Sequence, residues 1–255
     1  MFKIYCARLV VRIGVLMVAI QIYLRDKNSL IISKGLSLKN GIKPLHLLWM
    51  ILAVEMISKF FPQKITSIGC RKQFKANYRA SERMPIKVEI TNWKKQENIA
   101  AKKVFAGWFG GNALIAILYF TKVLSESEMV LLSLFYFVGD LICVVLFCPF
   151  QSFIMENRCC ITCRIFNWDS MMFCTPLIFI RSIFSWSLVL IALVLLVWWE
   201  FVFWKYPQRF FEKSNENLKC QHCNEHLCLL KKLIAAPRRL PKRRLDDSIN
   251  QRQEN

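Results

Sequence analysis

The chain contains 255 residues, 55% of them hydrophobic and 13% aromatic, and its 36 Lys and Arg against 17 Asp and Glu give a net charge of +19. The charges gather between long uncharged runs, which excludes a disordered chain, collagen and a coiled coil. The hydrophobic content is too high for a soluble globule of this length. The composition therefore predicts an all-α integral membrane protein, built as a polytopic helical bundle.

The first 62 residues form a predicted N-terminal membrane region. It contains two apolar stretches, residues 9–24, interrupted by Arg12, and residues 45–61, which carry Glu55 and Lys59. A helix needs about 17 to 25 mostly apolar residues to cross the bilayer core. The first stretch has the basic start of a signal peptide but no small-residue cleavage site, so we interpret it as an uncleaved signal anchor, with an interfacial helix as the alternative.

A strongly basic connector follows over residues 63–103, in which only Glu82, Glu89 and Glu97 oppose the Lys and Arg residues. Cytoplasmic loops retain Lys and Arg, so we expect this connector in the cytoplasm. The chain beyond residue 204 is equally basic, whereas the turn at residues 125–128 has two acids and no base. This asymmetry predicts a multi-pass protein of the cell membrane with both termini in the cytoplasm.

Residues 104–204 form a predicted four-helix transmembrane unit. Its spans are the apolar runs at residues 104–121, 129–150, 165–180 and 182–204. The third run is short and contains Asp169 and Pro176, so it either crosses the bilayer with a kink or re-enters from the side it left. Together with the two N-terminal stretches, the sequence predicts about six transmembrane helices.

Two polar residues, Asn112 and Asp140, lie at the same depth near the middle of the first two spans of this unit. Polar and charged groups inside a bilayer are costly, so they take partners and are candidates for function. The favoured interpretation is a hydrogen bond between the two helices, with Gly107, Gly110 and Gly111 allowing close helix approach. The alternative is a proton or cation site at Asp140.

Asp169 and Glu200 form a second polar pair, each about one turn inside the cytoplasmic end of its span. Arg158 and Arg164 are the nearby cations, so we interpret the two acids as salt-bridged residues of the membrane interface. The alternative is that the carboxylates tune a metal held by the neighbouring cysteines.

Cysteines cluster late in the chain in two CxxC pairs. Cys160 and Cys163 lie in the loop at residues 151–164, and Cys220 and Cys223 lie in the cytoplasmic segment at residues 205–234. A helical hairpin returns the chain to the side it left, and two CxxC turns complete the tetrahedral thiolate set that zinc prefers. The sequence therefore predicts a Cys-rich zinc knuckle on the cytoplasmic face, with further candidate ligands at Cys148, Cys159, Cys228, His222 and His226.

Two alternatives stay open for these thiols. Four Cys thiolates also hold an iron–sulfur cluster, although the compact spacing of ferredoxins is absent. The other alternative is reactive or unliganded thiols, whereas disulfides are disfavoured in a reducing cytoplasm. Zinc is therefore the favoured cofactor and an iron–sulfur cluster its alternative.

The basic segments lack aromatic interleaving for base recognition, so the expected partners are the bilayer and its anionic headgroups rather than nucleic acid. Residues 235–255 are polar and aperiodic and are expected to be disordered. Motifs of nucleotide binding, zincins and hydrolases are absent, which disfavours an enzyme. The predicted function is a binding, assembly or transport component that meets a membrane or cytoplasmic protein partner. The alternatives are a membrane redox protein and an ion- or proton-coupled transporter that uses Asp140.

Overall fold

The computed structural model describes residues 2–28, 30–31, 44–62, 70–157, 159 and 162–219. This part of the chain is 77% helical and contains no strand, which confirms the predicted all-α class. The α-helices are α1 (Phe2–Arg25), α2 (Pro44–Ser58), α3 (Lys87–Phe120), α4 (Glu126–Val145), α5 (Asp169–Cys174) and α6 (Ile183–Lys205). Four of them, α1, α3, α4 and α6, are long and apolar enough to cross a membrane. Their length and composition agree with a membrane protein.

Helices α1 and α4 pack along each other in opposite directions. The Tyr23 hydroxyl near the end of α1 donates to Glu128 Oε1 at the start of α4, with an O···O distance of 2.9 Å. At the other end of the pair, Tyr5 packs against Leu141 and Val144. The N-terminus of α1 therefore lies at the same end of the bundle as the C-terminus of α4.

Helix α2 is apolar but has only 15 residues, or about 22 Å at 1.5 Å per residue, less than a bilayer core. Its early part lies beside the start of α6, where Trp49 Nε1 donates to Ser187 Oγ at 2.9 Å and to the Phe184 carbonyl at 3.1 Å. Just past its end, Lys59 contacts Asp169 at the start of α5. Helix α2 therefore runs in the same direction as α6.

The short predicted span at residues 165–180 is a broken helix that runs through the whole bundle. It consists of a 3-10 segment at Arg164–Trp168, then α5, then a second 3-10 segment at Thr175–Phe179. At one end Arg164 pairs with Glu200 near the end of α6, and at the other end Phe179 contacts Phe120 at the end of α3. The predicted irregularity occurs where Pro176, which has no backbone N–H, follows the end of α5.

The largest apolar cluster lies between α2, α4, the broken helix and α6, and includes Met56, Met129, Phe137, Phe173 and Leu195. Outside it, large apolar side chains are exposed along α3, α4 and α6. A soluble protein rarely leaves so much apolar surface in contact with water. The exposed faces therefore suit a lipid environment.

Helix α3 extends well before its predicted apolar span. Its 34 residues measure about 51 Å, and residues 87–103, predicted as connector, form its first half. Beside this half, Glu216 N donates to the Arg79 carbonyl at 2.9 Å, and the rings of Trp93 and Phe211 stack at 4.9 Å. Residues 72–84, the first half of α3 and residues 206–219 thus form one packed unit, called the cap below.

The glycines of α3 do not have their predicted role. A Cβ atom built on Gly107, Gly110 or Gly111 would meet no other atom within 4 Å, and all three residues are exposed. Close helix approach would instead place a neighbouring helix against them. The prediction is wrong because the glycines lie on a face of α3 that no other described helix covers.

Candidate functional site

Arg12 lies in the middle of α1 with only 5% of its side chain exposed. Its guanidinium forms an ion pair with Glu55 of α2 and donates to the Phe137 carbonyl of α4 at 2.6 Å. The guanidinium also donates a hydrogen bond to Asp140 Oδ2 at 3.3 Å. It lies 3.8 Å from the centre of the Phe137 ring. This arginine therefore joins three helices through charge in the apolar part of the bundle.

Lys59 forms a second centre close by. It is 4% exposed, forms an ion pair with Asp169 and donates to Ser170 Oγ at 2.9 Å. It also interacts electrostatically with Glu55 and Asp140. The two centres therefore share one electrostatic environment, and we call Arg12, Glu55, Lys59, Asp140 and Asp169 the charge cluster.

The charge cluster contains two cations and three carboxylates, so it carries one negative charge in excess. An unbalanced charge away from water is costly, and membrane proteins keep such groups where they pair or where they act on ions and protons. Asp140 has the weakest pairing of the three acids. In the described part of the chain it accepts only one hydrogen bond, the 3.3 Å contact from Arg12.

The second predicted polar pair divides between two places. Glu200 accepts from Arg164, as predicted, and also from Trp168 Nε1 at 2.7 Å. The Arg164 guanidinium contacts Asn98 of α3 as well. Asp169 pairs instead with Lys59 in the charge cluster. The other predicted partner, Arg158, lies outside the described residues.

The predicted hydrogen bond between Asn112 and Asp140 is not formed. Asn112 Nδ2 donates to the Trp108 carbonyl of its own helix at 2.9 Å. Its buried Oδ1 has no hydrogen-bond partner among the described residues. The prediction is wrong because equal depth does not ensure that two side chains face each other, and Asp140 faces α1.

A cavity of about 190 Å³ lies beside the charge cluster. Asp140 and Asp169 form part of its wall, and aromatic rings line much of the remainder, including Trp108, Tyr136 and Phe150. The Trp108 ring lies 4.8 Å from that of Tyr136 and 6.5 Å from that of Phe150. A cavity of about 150 Å³ accepts benzene, so this one has room for a small organic molecule.

The predicted zinc knuckle falls mostly outside the described residues, which do not include Cys160, Cys220, Cys223, Cys228, His222 or His226. Cys163 is described and is 2% exposed, packed near Val104 and Ile165. Burial raises the pKa of its thiol to about 12, so a metal would have to supply the free energy of deprotonation.

The remaining candidate ligands, Cys148 and Cys159, pack in an apolar cluster around Leu141 and Phe166. The described ranges hold no group of three or more His, Cys, Asp or Glu side chains that could bind a metal ion. The zinc knuckle stays a prediction.

Sequence reasoning missed the roles of Arg12 and Lys59, which it treated as interruptions of weak spans. The available signal was the sign of the charges, because two cations and three acids in apolar runs need one another.

Comparison of the chain with protein-family models, curated proteins and solved structures found no match. The charge cluster and its cavity are therefore the features from which a function can be argued.

Proposed function

We propose that the protein is a proton-coupled transport component of the membrane and that Asp140 holds the transported proton. The observation that carries this proposal is the charge cluster, in which three carboxylates face two cations. One bound proton balances the excess negative charge. Release of that proton changes the electrostatic energy of all the helices that the cluster joins, which is the coupling that a transporter requires.

Asp140 is the favoured proton site for two reasons. Its contact with Arg12 is long, and Arg12 is already engaged by Glu55 and by the Phe137 carbonyl. Asp140 also lines the cavity, which gives the carboxyl group a route to a ligand. Asp169 lines the cavity as well, but it is 6% exposed and is held in an ion pair by Lys59.

The proposed topology has six crossings, with both termini and the cap in the cytoplasm. The relative directions of the crossings are supported by the antiparallel pairing of α1 with α4, by the common direction of α2 and α6, and by the passage of the broken helix through the bundle. The cytoplasmic side is supported by the Lys and Arg residues of the connector and the C-terminal segment. Helix α2 is short for a span, but protein neighbours cover one of its faces, so that this face is packed against protein and not lipid. Lys59, which pairs with Asp169, lies just past the end of α2.

The experiment is a pH jump on proteoliposomes adsorbed to a solid-supported membrane. Proton entry into the buried cluster moves charge across part of the membrane and produces a transient current. We expect this current in the native protein and its loss in Asp140→Asn, which retains the size of the side chain. The matched control is Glu89→Gln, since Glu89 belongs to an exposed ion pair of the cap. A current of equal size in Asp140→Asn contradicts the proposal.

A further inference from the structure

We infer that the cavity beside the charge cluster binds a lipophilic organic cation, a small apolar molecule that carries one ammonium group. This inference rests on the proposed function because both use Asp140. It goes further by naming the class of substrate that would exchange with the proton.

The cavity wall contains two acidic residues. Although the whole chain carries a net charge of +19, the residues of this wall that have a charged side chain are the acids Asp140 and Asp169. Arg12 and Lys59 approach the two carboxylates but do not line the cavity. Two acidic residues of the cluster therefore lie next to a space that an ammonium group can occupy.

Aromatic rings line much of the cavity. Trp108, Tyr136 and Phe150 form one group of adjacent rings, and Phe135 and Phe166 also line the cavity. The faces of aromatic rings attract cations, and aromatic cages are a common means of binding quaternary ammonium groups. The same rings provide apolar surface for the remainder of the ligand, so the wall favours a molecule that is mostly hydrocarbon.

One side of the cavity lies near the outer surface of α4. Away from the turn that joins α3 to α4, helix α3 packs on the broken helix rather than along α4. Phe135 lines the cavity and is 60% exposed, on a helix whose outer surface is apolar. The cavity therefore reaches the apolar outer surface at Phe135. A lipophilic cation concentrates in the membrane and can enter by this side.

Gly139 provides a specific way to block the site. It lines the cavity, and a Cβ atom built on it would meet nothing within 4 Å. A side chain can therefore begin at this position without a clash of its Cβ atom, and we expect a leucine here to occupy part of the cavity. Gly14 of α1 offers the matched control, because its Cβ position is equally open and it does not line the cavity.

The test is equilibrium binding of radiolabelled phenyltrimethylammonium to the full chain in nanodiscs, with unlabelled tert-butylbenzene as a neutral competitor of the same shape. We expect saturable binding that tert-butylbenzene displaces poorly. Gly139→Leu should weaken the affinity at least about tenfold, and Gly14→Leu should leave it unchanged. Asp140→Asn should abolish binding, and the Gly139→Leu result decides the matter if that variant does not fold.

Equal displacement by tert-butylbenzene, or native affinity in Gly139→Leu, overturns the inference. Since binding needs no gradient, the two proposals fail in different ways. A pH-jump current that depends on Asp140, without binding of phenyltrimethylammonium, removes only the substrate class. Specific binding without such a current removes proton coupling and leaves an organic-cation site.

Discussion

Removal of the Arg12 guanidinium tests the energetic role of the charge cluster. In Arg12→Met an unbranched side chain of similar length replaces the cation, so the packing of α1 changes little. Glu55 loses its ion-pair partner and Asp140 loses its hydrogen bond. The cluster then has one cation and three carboxylates. Breaking a buried pair in this way costs about 3 to 5 kcal/mol, and we expect a loss of that size in the free energy of unfolding.

The double variant Arg12→Met with Glu55→Gln distinguishes charge balance from simple loss of contacts. It leaves one cation and two carboxylates, which restores the original excess of one negative charge. We therefore expect the double variant to be more stable than Arg12→Met alone, although it has lost more native contacts. Such a positive coupling is what a double-mutant cycle detects between residues in contact.

The assay is reversible unfolding of the purified protein in mixed micelles, titrated with SDS and followed by far-ultraviolet circular dichroism. Lys213→Met provides the surface control, because Lys213 and Glu89 are 67% and 42% exposed and such pairs contribute about 0 to 1 kcal/mol. If Arg12→Met unfolds at the same SDS fraction as Lys213→Met, or if the double variant is less stable than Arg12→Met, the reasoning is refuted.

Three further predictions concern the end of the bundle that carries the cap. Arg164→Gln leaves Glu200 without its cation and should reduce the unfolding free energy by about 1 to 3 kcal/mol; native stability in the SDS titration would contradict this. Asn215 is fully buried and donates to two backbone carbonyls. Asn215→Ala should therefore open the cap and increase the rate at which trypsin cleaves it. An unchanged cleavage rate would show that these two hydrogen bonds do not hold the cap together. Elemental analysis should find about one zinc per chain. The zinc should be lost in Cys220→Ser and retained in the control variant Cys70→Ser. Iron with visible absorbance would favour the iron–sulfur alternative, and the absence of both metals would exclude the knuckle.

The helical class and the long spans could be predicted because they depend on length and composition. Helices α4 and α6 fall close to the predicted runs, since a bilayer requires continuous apolar helix whatever its neighbours are. The pairing of Arg164 with Glu200 was also predictable. The sequence places both residues near the same end of their predicted spans, where opposite charges have few other partners.

The partners of Asp140 could not be predicted from depth alone. Position along a helix fixes the height of a side chain, but contact also requires that two helices be neighbours and that both side chains face the shared interface. Asn112 satisfied only the first condition. Arg12 satisfied all of them, from a helix more than one hundred residues away in the chain. The same limitation explains why the open face at Gly110 was mistaken for a helix contact.

The most direct measurement is the infrared spectrum of the protein in nanodiscs as the pH is changed. A protonated carboxyl group absorbs apart from ionised carboxylates, so the proton that balances the charge cluster is directly visible. We expect a protonated carboxyl band in the native protein near neutral pH, its loss in Asp140→Asn and its retention in Glu89→Gln. A spectrum without this band, or a band that persists unchanged in Asp140→Asn, would contradict the assignment of the proton to Asp140.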